Sequence, residues 1–258
     1  MLLAIDAGNT NVVFAIYDEK RRKLGAWRIS TDPKRTADEY AVWLTQLMSL
    51  VKLRPVDITG AILGSVVPAA TFNLVGLCRH HFGCEPLIVG APGVDLGVEA
   101  KVDNPLEVGA DRLLDAIGAR LVMAPPLIVL DIGTATTFDL VDADGNFAGG
   151  VIAPGPNLSL EALHRAAAKL PKIEIERPPK VIGTNTIETM KSGMFWGYVA
   201  LIEGMVARIS EEYGHPLKVI ATGGLSKVFA RATTVIDHID DEITLRGLVY
   251  IHDRNTKK

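Results

Sequence analysis

Cysteine is nearly absent: the 258 residues hold two, Cys78 and Cys84, with His80 and His81 between them. Five intervening residues do not make the short ligand spacing of a structural zinc site. Cys78 also falls on the apolar face of a helix starting near Pro68, with Leu74 and Leu77. Reduced thiols in a reducing compartment are the expectation. No apolar run reaches membrane-spanning length, so no membrane partner is expected. Met1-Leu2-Leu3 has no basic flank and Asp6 interrupts the first apolar run, so the start reads as a strand and not a signal peptide. A cytoplasmic protein is the expectation. Aromatics make up only 6%, and there is no excess of positive charge: the net charge is −3 and the pI about 6.1. That balance gives no basis for holding a nucleic acid by its phosphates. The one basic cluster, Lys20, Arg21, Arg22 and Lys23, reads as a solvated hairpin tip. Several motifs are missing too. There is no Gly-Lys dipeptide for a Walker loop, no spaced glycine fingerprint for a dinucleotide, no nucleophile elbow and no paired-histidine zinc helix.

The composition is 48% hydrophobic, enough for real cores. Residues 2–17, LLAIDAGNTNVVFAIY, organise the chain. An apolar run ends in Asp6, passes through the small polar turn Ala7-Gly8-Asn9-Thr10-Asn11, and resumes at Val12 and Val13. Two antiparallel strands joined by a tight turn follow from that pattern. Gly8 permits close backbone approach to a ligand, and the turn offers amides and polar side chains to phosphate oxygens. Asp6, at the strand end, suits a cation or its water. Residues 127–140, LIVLDIGTATTFDL, repeat the unit around Asp131 and Gly133, 125 positions later and close to half the chain. The duplication predicts two similar lobes arranged about a nucleotide.

Between these landmarks the pattern predicts a third strand over 24–30. A helix follows over 36–53, capped by Thr36 with Glu39 and striped by Tyr40, Trp43, Leu44, Leu47, Met48 and Val51. A buried strand over 58–67, a helix to about 82 and a short strand at 87–89 complete a β-β-β-α-β-α-β order. A loop spans 90–104, and Asn104-Pro105 opens a helix running through Gly109-Ala110-Asp111-Arg112 to about 122. Pro125-Pro126 is the expected boundary, giving lobes 1–124 and 125–258. The second hairpin is followed by Gly149-Gly150, a helix over 158–169 and an irregular stretch over 170–183. Then come a long helix over 185–213, a strand over 217–221 ending in Thr222-Gly223-Gly224, and two short helices.

Phosphoryl transfer needs phosphate-cradling amides, a divalent cation and a carboxylate for the nucleophile's proton. The two hairpins, the Gly-Gly turns and Asp111-Arg112 supply candidates for each. Taken singly, Asp6 or Asp131 would be a turn-stabilising aspartate. Asp111-Arg112 alone reads equally well as an ion pair on a helix. Repetition in matching context favours nucleotide binding.

Four ordered motifs carry a resemblance that covers the whole chain: Asp6-x-Gly8-Asn9-Thr10, Gly109-Ala110-Asp111-Arg112, Asp131-x-Gly133-Thr134-Ala135-Thr136 and Gly149-Gly150-x-Ile152-x-Pro154-Gly155. They resemble the successive signatures of type III pantothenate kinase. Thr222-Gly223-Gly224 and Leu245-x-Gly247-Leu248 fit as well. The resemblance implies an α/β fold of two ribonuclease H-like lobes, as in the actin-like ATPase and sugar kinase superfamily, each a mixed sheet with flanking helices. It implies a homodimer that transfers the γ-phosphate of ATP to the 4′-hydroxyl of pantothenate, the first step of coenzyme A synthesis. Asp6, Ala7, Gly8, Asn9, Thr10, Asn11, Val12 and Val13 are then similar to the ATP phosphate loop, with Asp6 near Mg2+. Gly109, Ala110, Asp111 and Arg112 look like the pantothenate site, Asp111 as general base and Arg112 as anchor. Asp131 resembles the ligand of a monovalent cation (K+ or NH4+), and Thr134 a nucleotide contact. Thr186 matches a threonine that reaches pantothenate from the partner subunit. The chain departs from the pattern at Val102, where many members carry a tyrosine lining the substrate site, and at Gly64, where a second serine is usual. A nucleotide-binding accessory protein without turnover is the alternative; loss of Asp111, Arg112 or Asp131 would favour it, and all three are present.

Overall fold

A computed structural model of the chain describes residues 1–167 and 170–256. The end of the helix expected over 158–169 therefore lies outside the described residues. The chain divides into two units, Met1–Leu121 with Glu242–Lys258, and Val122–Asp241. The strands are β1 (Leu2–Ala7), β2 (Asn11–Tyr17), β3 (Lys23–Ser30), β4 (Gly60–Ser65), β5 (Pro86–Ile88), β6 (Leu127–Ile132), β7 (Ala135–Val141), β8 (Phe147–Pro154), β9 (Lys218–Thr222) and β10 (His238–Ile239). The helices are α1 (Ala37–Leu50), α2 (Pro68–His81), α3 (Ala110–Val122), α4 (Pro156–Ala166), α5 (Thr186–Tyr213), α6 (Ser226–Ala230) and α7 (Ile243–Thr256). None of the described helices is long and apolar enough to cross a membrane.

In the first unit the sheet order is β3-β2-β1-β4-β5. Central β1 pairs antiparallel with β2 and parallel with β4. Both its faces are covered, which is why it reads as an apolar run rather than an alternation. Leu3, Ile5 and Ala7 point into a core closed by Tyr40 and Leu44 of α1 and Leu74 and Leu77 of α2. Leu2 and Ala4 point to the other face, closed by Leu114 and Ile117 of α3 and Leu248 and Ile251 of α7. The expected capping box starts α1: Glu39 N–H donates to Thr36 Oγ1 at 3.3 Å, and Thr36 N–H to Glu39 Oε2 at 2.8 Å. Cys78 and Cys84 are both free thiols.

The last helix is placed differently from the sequence division, which puts it in lobe 125–258. It belongs to the first unit, because α3 and α7 cross at two glycines. A Cβ on Gly118 would fall 1.9 Å from the Ile243 carbonyl oxygen, and one on Gly247 2.3 Å from that of Leu114. The basic tip is also less solvated than expected. Arg21 Nη2 donates to the Asp253 carboxylate and meets His252 Nδ1 at 3.2 Å, while Lys23 pairs with Glu242.

The second unit repeats the plan with the order β10-β9-β6-β7-β8, β6 antiparallel to β7 and parallel to β9. Together the two sheets form the expected pair of ribonuclease H-like lobes. Ile128, Leu130 and Phe138 pack on Phe195, Tyr198 and Ile202 of α5 and on Phe229 of α6. Most of the large apolar residues of α5 are thus used in this unit's own core, Ile187 being exposed.

Candidate active site

The chemistry-bearing residues of the first unit gather at the carboxyl end of β1 and β4, where ligands bind in open α/β sheets. Asp6 lies between Val13 and Gly64 in register. By alternation it shares a face with Leu2 and Ala4, the face over which α3 runs. Gly64 is bare on that face because α3 comes close: a Cβ there would sit 2.5 Å from Leu114 Cδ1. The departure from a second serine therefore has a packing reason.

Beyond Asp6 the turn is closed by Gly8 N–H donating to the Asn11 carbonyl at 3.0 Å. Asn9 and Thr10 are exposed at its tip. Thr31, just past β3, grips this turn twice. Its hydroxyl donates to the Gly8 carbonyl at 2.6 Å and its N–H to the Thr10 carbonyl at 2.9 Å. Sequence reasoning missed Thr31, which follows a strand without any motif.

Residues 65–66 continue from β4 alongside: Val66 N–H donates to the Ala7 carbonyl at 3.1 Å. Val66 in turn touches the start of α3, its Cγ1 lying 3.6 Å from where a Gly109 Cβ would stand. The helix expected from Asn104 is interrupted. A 3-10 turn, Pro105–Glu107, is followed by extended Val108 (ψ 121°), and α3 begins only at Ala110. The break has a consequence for Asp111. It falls in the first helical turn, where a carboxylate is favoured by the helix dipole, and its Oδ1 accepts the Arg112 N–H at 2.8 Å. The same Oδ1 lies 2.5 Å from a would-be Gly109 Cβ, so glycine at 109 leaves the space the carboxylate occupies. Asp6, the turn and Asp111 are thus brought to one end and one side of a single sheet. Arg112 is half-buried beside them, and half-buried Val102 lies in the loop leading to Pro105. That loop is anchored from α3 and α7: Arg120 Nη2 donates to the Gly97 carbonyl at 2.8 Å, and Arg254 Nε to Asp95 Oδ2 at 2.7 Å.

In the second unit Asp131 occupies the matching place on β6, between Thr137 and Thr222 in register. Gly133 and Gly223 stand beside it, and Gly155 packs on the Gly133–Thr134 turn. Gly133 N–H donates to the Ala135 carbonyl at 2.9 Å, and Gly155 N–H to the Thr134 carbonyl at 3.0 Å. Gly223 has φ +89°, and a Cβ on it would lie 2.2 Å from Asp131 Oδ1. Thr134 is exposed at its turn. Thr186 is elsewhere: it opens α5 after the Asn185 cap and lines a groove of about 660 Å³ with Gly183, Thr189 and Met190. Neither Asp131 nor Thr134 lines that groove. A cavity of about 570 Å³ in the first unit opens at the opposite, amino-terminal end of β1 and β4, beside Met1, Thr59 and Gly60, and contains none of the candidate residues.

Among the described residues no group of three or more His, Cys, Asp or Glu side chains could hold a metal ion. Asp6 and Asp131 therefore belong to no cluster of three or more such side chains. That donor set fits a cation held mainly through phosphate oxygens, main-chain carbonyls and water.

The type III pantothenate kinase family model matches residues 2–208. The chain is 60% identical over 256 residues to the type III pantothenate kinase of Paramagnetospirillum magneticum, covering 99% of this chain and 98% of that protein. It is 59% identical over 262 residues to that of Rhodospirillum centenum, with both chains covered fully, 100% of each. Among solved structures, the activator of the 2-hydroxyisocaproyl-CoA dehydratase from Clostridium difficile with bound ADPNP matches with a TM-score of 0.59. That match covers 99% of this chain and 96% of that one at 11% identity, a likeness of fold alone. Motifs, fold and relatives agree: the chain belongs to the type III pantothenate kinase family.

Proposed function

We propose that, in the ATP-dependent phosphorylation of pantothenate that is this family's reaction, Asp111 is the group that takes the proton from the attacking hydroxyl. The observation that carries this is the Asp111 carboxylate itself, in the first turn of α3, beside Gly109, whose Cβ would stand 3.6 Å from the Val66 side chain, while Val66 N–H bonds the Ala7 carbonyl at the end of β1. The 4′-hydroxyl oxygen forms a bond to the γ-phosphorus as the bond from that phosphorus to ADP breaks, and the hydroxyl proton passes to Asp111. A primary alcohol is a poor nucleophile at neutral pH, and a positioned base contributes about 10²–10⁴-fold. Because the transition state is loose, part of the effect is orientation of the hydroxyl.

The remaining roles are those that the family resemblance suggests. The amides of residues 8–13 cradle the ATP phosphates, and Arg112 anchors pantothenate beside Asp111. Val102 lines the substrate pocket, where it offers neither a hydroxyl nor a ring face. In the second unit Thr134 contacts the nucleotide. Asp6 would hold Mg2+ and Asp131 a monovalent cation, and these would supply positive charge to offset that of the phosphates. The working assembly is a cytoplasmic homodimer in which Thr186 reaches the neighbouring subunit's pantothenate. Support for the dimer comes from apolar side chains left exposed on the second unit, among them Ile152, Leu158, Leu163, Ile182 and Ile187.

Asp111→Asn tests the central assignment. It keeps size and hydrogen bonding but not the proton acceptor, so kcat should fall on the order of 10²-fold or more with ATP affinity nearly unchanged. Near-normal kcat in folded Asp111→Asn protein would sink the assignment.

A further inference from the structure

The geometry points to Thr31 as a positioning residue that aims the amides of the β1–β2 turn at the ATP phosphates. The inference rests on the reading of that turn as the phosphate loop. A trans peptide unit is planar, with its C=O and N–H pointing to opposite sides, and the only cis bond among the described residues is Pro125-Pro126. The Gly8 carbonyl is drawn toward Thr31 by the hydroxyl at 2.6 Å, so the N–H of Asn9, in the same peptide unit, points away. The Thr10 carbonyl is drawn the same way by the Thr31 N–H at 2.9 Å, so the Asn11 N–H also points away. One residue thus turns two carbonyls out of the anion's path and two N–H donors toward the side opposite Thr31. Without the hydroxyl, the Gly8–Asn9 peptide is free to rotate and present its oxygen, which repels phosphate. Preorganised donors cost little to bring to bear on developing charge, and this is where their value lies.

The test separates the hydroxyl from the fold. Thr31→Val is nearly isosteric and keeps the main-chain bond to Thr10; Thr31→Ser keeps the hydroxyl. In a coupled ADP-release assay Thr31→Val should raise the KM for ATP roughly three- to tenfold, the range a single hydrogen bond supports. The KM for pantothenate should stay within about twofold, and Thr31→Ser should restore the ATP KM to near wild type. A purely structural role would move both substrates together. Equal ATP KM in the Val and Ser variants would overturn the inference. One glycine inserted between Asn9 and Thr10 tests the underlying reading separately. If the insertion leaves ATP KM unchanged, the turn is not the phosphate loop and both readings fail. If it destroys ATP binding while Thr31→Val does not weaken it, only the role of Thr31 fails.

Discussion

Adding one carbon at position 109 should slow the enzyme without unfolding it. A Cβ on Gly109 would stand 2.5 Å from Asp111 Oδ1, with the next neighbour, Val66 Cγ1, at a comfortable 3.6 Å. Carbon and oxygen approach to about 3.3 Å at closest without strain, so the carboxylate must retreat by about 0.8 Å. The clash is with the end of a side chain and not with main chain, so the fold can absorb it. Misplacing a reacting group by about 1 Å can cost 10²-fold, and kcat for Gly109→Ala should fall between about 10- and 100-fold. Stability should move the other way. Replacing glycine with alanine where the backbone permits it stabilises by about 0.4–1 kcal/mol through the unfolded chain. Coupled-assay kinetics beside a thermal melt would therefore show a slower, slightly more stable enzyme. In an Asp111→Asn background the alanine should cost nothing further, since the group it displaces no longer acts. A kcat within twofold of wild type in folded Gly109→Ala protein would refute the placement of Asp111 at the reacting hydroxyl.

Other outcomes follow from the same geometry. Activity should rise strongly when sodium is replaced by potassium or ammonium at constant ionic strength; equal rates in all three salts would remove the cation role from Asp131. Sedimentation at assay concentration should give a dimer, and a fully active monomer would rule out delivery of Thr186 between subunits. Burial, with the charge of Glu242, pushes the Tyr17 phenol up to about 12, and burial pushes the Cys78 thiol up to about 12. Both groups are neutral when protonated and hold their protons more tightly folded than unfolded. Their contribution is thus complete below their ordinary values of 10.0 and 9.0 and is lost as pH rises toward 12. Chemical denaturation across that range should show falling stability, shallower in Tyr17→Phe; a flat profile would contradict the burial argument.

Local pattern carried much of this architecture. The apolar run before Asp6, its repeat before Asp131, the Thr36–Glu39 capping box and the long helix after Asn185 all rest on neighbours within a few positions, and each is legible in the one-letter code. The contacts that sequence reasoning missed join residues far apart in the chain. Gly247 reads locally as a weak point in a helix, and only the carbonyl of Leu114 above it explains the glycine and carries α7 to the first unit. Arg21 and Lys23 look solvated because their partners, Asp253 and Glu242, come more than two hundred residues later. The interruption at Val108 is invisible for a related reason. Asn104-Pro105 is a sound helix start, yet the chain spends it on a single 3-10 turn and restarts at Ala110, placing Asp111 in a new first turn. Along α5, Phe195 and Tyr198 are buried against Phe229 within their own unit, a contact between helices that the one-letter code does not display.

The duplicated hairpins share a strand plan but differ in what packs around the turn, and the difference bears on the division of labour. In the second hairpin the matching glycine, Gly133, would carry a Cβ at an ordinary distance, 3.6 Å from Asp131 Oδ1; the glycines that the protein itself demands lie in the two adjoining turns. Gly155 has the carbonyls of Gly133 and Thr134 at 2.3 Å from where a Cβ would be, and Gly223 has the Asp131 carboxylate at 2.2 Å with a left-handed backbone. No side chain fits at either place, so the adjoining turns pack closely on the second hairpin: Gly155 on its main chain and Gly223 on the Asp131 carboxylate. In the first unit a Cβ on Gly8 would meet only the Asn11 carbonyl, at an ordinary 3.4 Å. Neither packing nor a left-handed backbone accounts for glycine there. What remains is the open space in front of the turn, which the proposed phosphate loop would offer to its ligand, and the amides that Thr31 is inferred to direct into it. A turn open in front suits the phosphates proposed to be gripped there; a carboxylate hemmed in by adjoining turns suits the fixed charge proposed to hold a monovalent cation.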